Sequence, residues 1–253
     1  MASNGLVANP SKTVFMILNQ KRKMDDPILN IKVGDTMISQ EEKTKLLGII
    51  IEENQQWTAH FKQLNNALNS RLFQIRRVKN QIPRRCIMKI VQSLWFSKLR
   101  YGLQLCAITR TSQSDPQNLK MKSLQYAQNR LLRLLDGSRI KDRKSIRSLL
   151  QKFKLPSMNQ IACEIKLMEA WKSINIQSYP VSIETEIKQD SDRTLRQNSV
   201  RMFDESSRTK IGATSFHIST AKLWNQTSVA VKNAKTKHTA KKAIKSYCND
   251  LQL

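Results

Sequence analysis

Adjacent carboxylates and recurring cations are the side chains of this sequence with the types and spacing to do chemistry. Asp25 and Asp26 stand side by side, and neighbouring carboxylates can hold a hard divalent cation through oxygen. Here they lie between Lys21-Arg22-Lys23 and Pro27, so cations neutralise them and proline interrupts any strand that would bury their backbone. Within the sequence no acid precedes Asp25, so a third ligand is missing and the pair reads as a solvated turn. The cations are the stronger signal. Arg71, Arg76, Arg77 and Lys79 are followed by Arg84, Arg85, Lys89, Lys98 and Arg100, and then by Arg130 and Arg133. Guanidinium and ammonium groups repeated in this way hold phosphates without reading a base sequence. Arg139, Lys141, Arg143 and Lys144 extend the series.

Other chemistries lack their residues. The six glycines, at 5, 34, 48, 102, 137 and 212, never cluster, which excludes phosphate-cradling loops of the dinucleotide and P-loop kinds. His60, His217 and His238 stand apart from one another and from the cysteines, so no metal site and no cofactor is expected. Cys86, Cys106, Cys163 and Cys248 are never paired as Cys-x-x-Cys and read as reduced core thiols of an intracellular protein. No secretory leader is visible, and the longest apolar run, Leu46 to Ile51, is far short of the roughly 20 residues that span a bilayer, so no membrane partner is expected.

Charge divides the chain more sharply than hydropathy. The 253 residues carry 44 Lys and Arg against 19 Asp and Glu, a formal charge of +25. Residues 1–57 hold seven basic and seven acidic side chains, residues 58–155 hold 22 and three, and residues 156–253 hold 15 and nine. A folded segment as one-sided as the middle one repels itself unless a polyanion supplies counter-charge, and nucleic acid is the usual polyanion. An acidic protein is the second possible partner.

The elements that must position these cations are mostly helices. Thr13–Leu18, Ile28–Val33 and Leu46–Ile51 read as three short strands. From Trp57 the period becomes helical: Phe61, Leu64, Leu68, Leu72, Ile75 and Val78 share one face. Pro83 opens a second helix with the apolar set Ile87, Ile90, Val91, Leu94, Trp95 and Leu99. Asp115-Pro116 is expected to start a third along Leu124, Ala127, Leu131 and Leu134, ended by Gly137. A fourth carries Ile146, Leu149, Leu150 and Phe153, and Ser157 caps a fifth, ended by Tyr179-Pro180. Residues 179–214 read as a polar linker, followed by a helical pair around Phe216–Trp224 and Ala240–Leu251. The expected fold is mainly α, with a small N-terminal β element at 1–57, a basic helical bundle at 58–178 and C-terminal helices at 215–253. Trp57 and Trp95 read as core residues before stacking residues.

Several phrases, in order along the chain, resemble the downstream part of a non-LTR (LINE-type) retrotransposon reverse transcriptase. Asn4-Gly5-Leu6-Val7-Ala8-Asn9-Pro10-Ser11-Lys12-Thr13 is similar to the "NGL-x-x-N-x-x-KT" phrase that closes the palm. Lys45-Leu46-Leu47-Gly48, then Trp57 and His60, resembles the primer grip and the start of the thumb, with Glu52 or Glu53 where the family often has aspartate. Tyr101-Gly102, Gln128-Asn129-Arg130-Leu131-Leu132-Arg133 and Leu223-Trp224-Asn225 resemble later phrases of the same family.

The resemblance implies a palm remnant and primer-grip strands at 1–57 and a thumb-like domain at 58–178, with Lys12 as a palm lysine and Leu47 and Gly48 as primer-grip residues. It also implies that the metal-binding aspartates, which Asp25-Asp26 imitates only superficially, lie outside these residues. Mg2+ would then serve only a full-length polymerase, and catalysis by this chain alone is not expected. The partners implied are RNA, DNA or an RNA–DNA hybrid. The rival readings are a helical protein-interaction module docking an acidic protein, or a relic of a mobile element without function.

Overall fold

The computed structural model of the protein describes residues 9–18, 29, 31–110, 118–176, 178–179, 202, 207 and 209–251. Contacts gather the chain into two compact units, Met1–Gln63 and Leu64–Leu253. The architecture is mainly helical with a small N-terminal β element, the fold class the sequence leads one to expect.

The first unit contains two antiparallel hairpins, β1 (Ile31–Val33) with β2 (Thr36–Ile38) and β3 (Lys43–Leu46) with β4 (Ile49–Glu52). Two expectations need correction here. Thr13–Leu18 is not a strand: Phe15 alone pairs, in an isolated parallel bridge to Gln40. Since β2 has already ended at Ile38, that bridge has no neighbouring pair from which a ladder could grow. Leu46–Ile51 is not one strand either, because it folds back on itself with Leu46 opposite Ile49. Leu47 and Gly48 are the two central residues, at φ 47° and 84°, the doubly left-handed pattern of a two-residue hairpin that glycine makes accessible. Met24-Asp25-Asp26 and residues 4–8 of the palm-like phrase lie outside the described residues.

Helix α1 (Thr58–Val78) begins in the first unit, where the buried Glu52 carboxylate accepts a hydrogen bond from the Ala59 amide at 3.0 Å. A carboxylate there satisfies an orphan donor and complements the positive end of the helix. The Ile50 amide donates to His60 Nδ1 at 3.4 Å, and the His60 ring meets Trp57 edge-on.

In the second unit α1 buries Leu64, Leu68 and Ile75, which lie on one face as their spacing requires. Pro83 precedes α2 (Arg84–Ile90), which continues through a π-helical turn, Val91–Phe96, into α3 (Ser97–Arg100). The wide turn shifts the helical phase. Leu94, expected in the core, is 38% exposed, while Trp95 and the unexpected Phe96 are buried. Trp95 is therefore a core residue, whereas Trp57 is half-buried. Gly102, at φ 73°, makes the left-handed turn into α4 (Leu103–Cys106), which accounts for glycine after Tyr101.

Helix α5 (Leu119–Asp136) is capped by Asn118, whose side chain accepts from the Lys120 amide at 2.9 Å. The expected cap, Asp115-Pro116, lies outside the described residues. Gly137, at φ 76°, ends α5 as expected. A 3-10 turn, Ile140–Asp142, leads to α6 (Ile146–Phe153). Ser157 and Gln160 form the reciprocal N-terminal cap of α7 (Met158–Asn175), and at its other end the helix stops at Asn175, before the expected Tyr179.

Of the stretch expected as a linker, residues 177, 180–201, 203–206 and 208 lie outside the described residues or border it. The two long C-terminal helices are α9 (Phe216–Gln226) and α11 (Lys237–Asp250), accompanied by the short α8 (Lys210–Thr214) and α10 (Val229–Lys232). Leu167, Trp171, Leu223, Trp224, Val231 and Ile244 form a shared core. Each fully buried large apolar side chain there contributes about 2 kcal/mol. Asn225 brackets the Met202 backbone, accepting from its amide at 3.0 Å and donating to its carbonyl at 2.9 Å.

Candidate nucleic-acid interface

Two helical stripes border one of two cation-lined grooves; the other, beside the start of α7, is lined by Arg110, Lys122, Arg147, Lys154 and Lys245. Along α1 and just past its end, Asn69, Leu72, Phe73, Arg76, Lys79 and Asn80 recur at intervals of three and four; along α5 and at its C-cap, Arg130, Arg133, Leu134 and Gly137 do the same. Between them, closed at one end by Ser138, Arg139 and Ile140, is a groove of about 800 Å3. Its lining holds five cations and, among the described residues, no carboxylate. Asn65 Nδ2 donates to Ser123 Oγ at 2.8 Å and ties the helices together further up. The Gln128 side chain, fully buried, donates to the Pro156 carbonyl at 2.7 Å, while Leu131 and Leu132 point into the core. That anchorage turns Arg130 and Arg133 outward.

Lys79 has a different task from its neighbours. Its ammonium donates to the Leu134 carbonyl at 2.8 Å, which also receives the Gly137 amide. A cation at the C-terminal end of α5 complements the helix dipole and satisfies an orphan carbonyl. The sequence carried the clue: Lys79 lies four residues after Ile75, on the apolar stripe.

The remaining expected contacts are dispersed. Arg71 is half-buried and Arg77 exposed on α1, outside the groove lining, and Arg85 and Lys89 are exposed on α2. The Arg84 guanidinium lies 5.2 Å from the centre of the Phe153 ring, joining α2 to α6. Lys98 lies over Tyr101 at 5.8 Å. Arg100 pairs with Glu164 of α7 at 3.0 Å. So the structure gathers Arg76, Lys79, Arg130 and Arg133 with Arg139, and leaves the others on separate surfaces. In the first unit Lys12 is exposed at the end of a 3-10 turn, Pro10–Lys12, and Leu47 and Gly48 form a hairpin tip with Leu47 81% exposed.

Charge inside the fold shapes the groove's end. The Asp136 carboxylate, its side chain 1% exposed, accepts from Lys144 at 2.7 Å and from Lys152. These hydrogen bonds, Lys144 first and Lys152 next, hold its carboxyl well below the usual range. Asp136 thereby consumes two cations of the basic segment and pins the loop after α5. Arg139 is held by its backbone, its amide donating to Asp142 Oδ2 at 2.6 Å, which leaves the guanidinium exposed. Phe73 and Ile140, 62% and 79% exposed, are lining residues that the periodicity did not single out. The available signal was an aromatic outside the apolar stripe.

One buried group lies away from the groove. Lys166 of α7 is fully buried and donates to Ser219 Oγ of α9 at 2.6 Å. Burial pushes its amine down to about 8, and pushes the nearby Cys106 and Cys163 thiols up to about 12. Lys166 and Ser219 line neither this groove nor the second one beside the start of α7.

Among the described residues, no group of three His, Cys, Asp or Glu is placed to hold a metal ion, and no helix is long and apolar enough to cross a membrane. What the arrangement can do is electrostatic: it presents fixed guanidinium groups to an anion whose charges repeat along a line. Comparison with protein-family models, with curated proteins and with solved structures finds no match for this chain.

Proposed function

We propose that this chain is the end-of-palm, thumb and tail portion of a non-LTR reverse transcriptase, and that it holds RNA or DNA by the backbone without reading sequence. The observation that carries the binding is the groove between α1 and α5, with Arg76, Arg130, Arg133 and Arg139 around it and no carboxylate in its described lining. The family assignment is supported by the ordered phrases of the sequence, to which the structure attaches physical roles. Gly102 makes a left-handed turn, Gln128 anchors α5 so that Arg130 and Arg133 face out, and Leu223-Trp224-Asn225 fills the C-terminal core and brackets Met202. Nucleotide addition would need two metal ions on carboxylates, which the residues carrying the resemblance do not include.

The test is binding to an RNA–DNA hybrid over a salt series. The logarithm of the affinity should fall by about 0.9 per contacted phosphate for each tenfold rise in salt. Replacing Arg76, Arg130, Arg133 and Arg139 together by glutamate should abolish binding and leave the helical circular dichroism intact. Affinity indifferent to salt, or a quadruple variant that binds as tightly as the parent, refutes the proposal. Selective capture of an acidic protein with no nucleic-acid binding would favour the interaction-module reading. Primer extension with Mg2+ by this chain should give no product.

A further inference from the structure

Phe73 takes no part in the core. The face of α1 that enters the core carries Leu64, Leu68 and Ile75, and Phe73 stands off that face, 62% exposed, on the wall of the groove. A ring left mostly in water contributes only part of the stabilisation that full burial would give. The groove that Phe73 helps to line also holds guanidinium groups from both helices, Arg76 from α1 and Arg130 and Arg133 from α5. Ile140, 79% exposed on the α5 side of the same groove, adds a second apolar surface. Ring, flanking cations and absent carboxylates together match a ligand that alternates flat apolar faces with negative charge.

We infer that the groove between α1 and α5 takes an unpaired nucleotide of single-stranded DNA or RNA, its base stacked on Phe73 and its flanking phosphates on Arg76 and Arg130. This rests on the proposed nucleic-acid binding and narrows it. Inside a duplex the faces of the bases are covered by their neighbours, and only the outer face of each terminal pair is open. An unpaired base, in a single strand or at an overhang, is therefore what offers the ring a face along the length of the strand. The groove, about 800 Å3, falls within the range that accommodates small organic ligands. Lys79 contributes positive potential, but its ammonium is engaged by the Leu134 carbonyl, and Arg133 Nη1 donates to the Arg139 carbonyl at 3.5 Å, which leaves the direct phosphate contacts to Arg76 and Arg130. Because every base presents a π face, the stack discriminates strandedness and not sequence.

The two contributions separate experimentally, since stacking is insensitive to salt while phosphate contacts are not. Fluorescence anisotropy would follow the parent, Phe73→Ala and Phe73→Trp on an oligothymidylate and on a blunt duplex of equal length. Phe73→Ala should weaken the oligothymidylate about 10-fold with an unchanged salt slope, and shift the blunt duplex by less than about 2-fold. Phe73→Trp should bind the single strand at least as tightly as the parent. Equal losses on both ligands, no loss on the single strand, or a tryptophan variant as weak as the alanine variant would overturn the inference. Should the parent bind duplex salt-dependently while Phe73→Ala leaves the single strand untouched, the stack fails and the backbone-binding proposal stands. A parent that binds neither ligand removes both.

Discussion

Lys166→Met replaces a charged group enclosed by the core with an unbranched apolar one of similar reach. In the folded chain the Lys166 amine is pushed down from 10.5 to about 8, first by burial, with Cys163 and Cys106 opposing it. A depression of this size corresponds to a penalty of about 3 kcal/mol on the protonated folded state at neutral pH. Methionine removes that penalty and forfeits the hydrogen bond to Ser219, worth about 1 kcal/mol, so the variant should be about 2 kcal/mol more stable at pH 7.

The direction with pH follows from proton counting. Between about 8 and 10.5 the unfolded chain keeps the proton that the folded chain has released, so the parent gains stability as pH rises through that window. The variant gains nothing there, and its advantage should vanish near pH 10. The buried thiols act oppositely: Cys106 and Cys163, raised from 9.0 to about 12, lose stability for the parent above pH 9. Cys248 is also raised by burial and owes nothing to Lys166, so it cancels in the comparison. Cys106 and Cys163 lose the lowering influence of Lys166 in the variant and stay protonated in both folded proteins up to pH 10. Urea unfolding of parent and variant at pH 7 and pH 10 measures the difference. A variant less stable at pH 7, or an advantage that does not change with pH, would show that the ammonium is not held out of water.

Two further predictions concern the end of the groove. Asp136→Asn should flatten the acid limb of stability. The parent's depressed carboxyl contributes stability above the unfolded value of 3.8 that is lost as pH falls below it, and acid titration followed by circular dichroism reads this. A parent and variant with identical acid midpoints would contradict the Asp136 clasp. Gly137→Ala meets no atom within 4 Å, so its cost is the left-handed backbone alone at φ 76°, about 1 kcal/mol by thermal or urea unfolding. A neutral substitution would mean that the α5 terminus can relax.

Local signals in the sequence were the ones that translated into structure. Ser157 with Gln160, and Gly137 after Leu134, are legible because a cap is decided within four residues of itself. The helical faces of α1, α5 and α6 follow from a spacing of three and four. Leu94 and Phe96 defeat the same reasoning because a π-turn changes the period at an unmarked position. Leu46–Ile51 looked continuous because its apolar residues run together, yet Gly48 in its middle was the turn signal. Contacts over long separations left no trace. Nothing in the sequence pairs Arg100 with Glu164, or Arg84 with Phe153, and both arginines read as phosphate ligands until the helices that oppose them are seen.

That redistribution changes what the basic segment means. With 22 cations and three acids over residues 58–155, charge alone suggests one continuous phosphate-binding face. The fold instead divides its cations. Lys79 serves a helix terminus, Lys144 and Lys152 serve Asp136, Arg100 serves Glu164 and Arg84 serves an aromatic ring. Each of these joins two elements, so part of the positive charge holds the bundle together. Of the cations that line grooves, one set, Arg110, Lys122, Arg147, Lys154 and Lys245, lies beside the start of α7, and the set that combines with an exposed aromatic ring is Arg76 from α1, Arg130 and Arg133 from α5 and Arg139 just beyond it. Those four repel one another across the groove with no described carboxylate between them, which disfavours the empty fold and favours an anion-filled one. The location of the binding site therefore follows less from how many cations the sequence contains than from which of them the fold leaves without an internal anion.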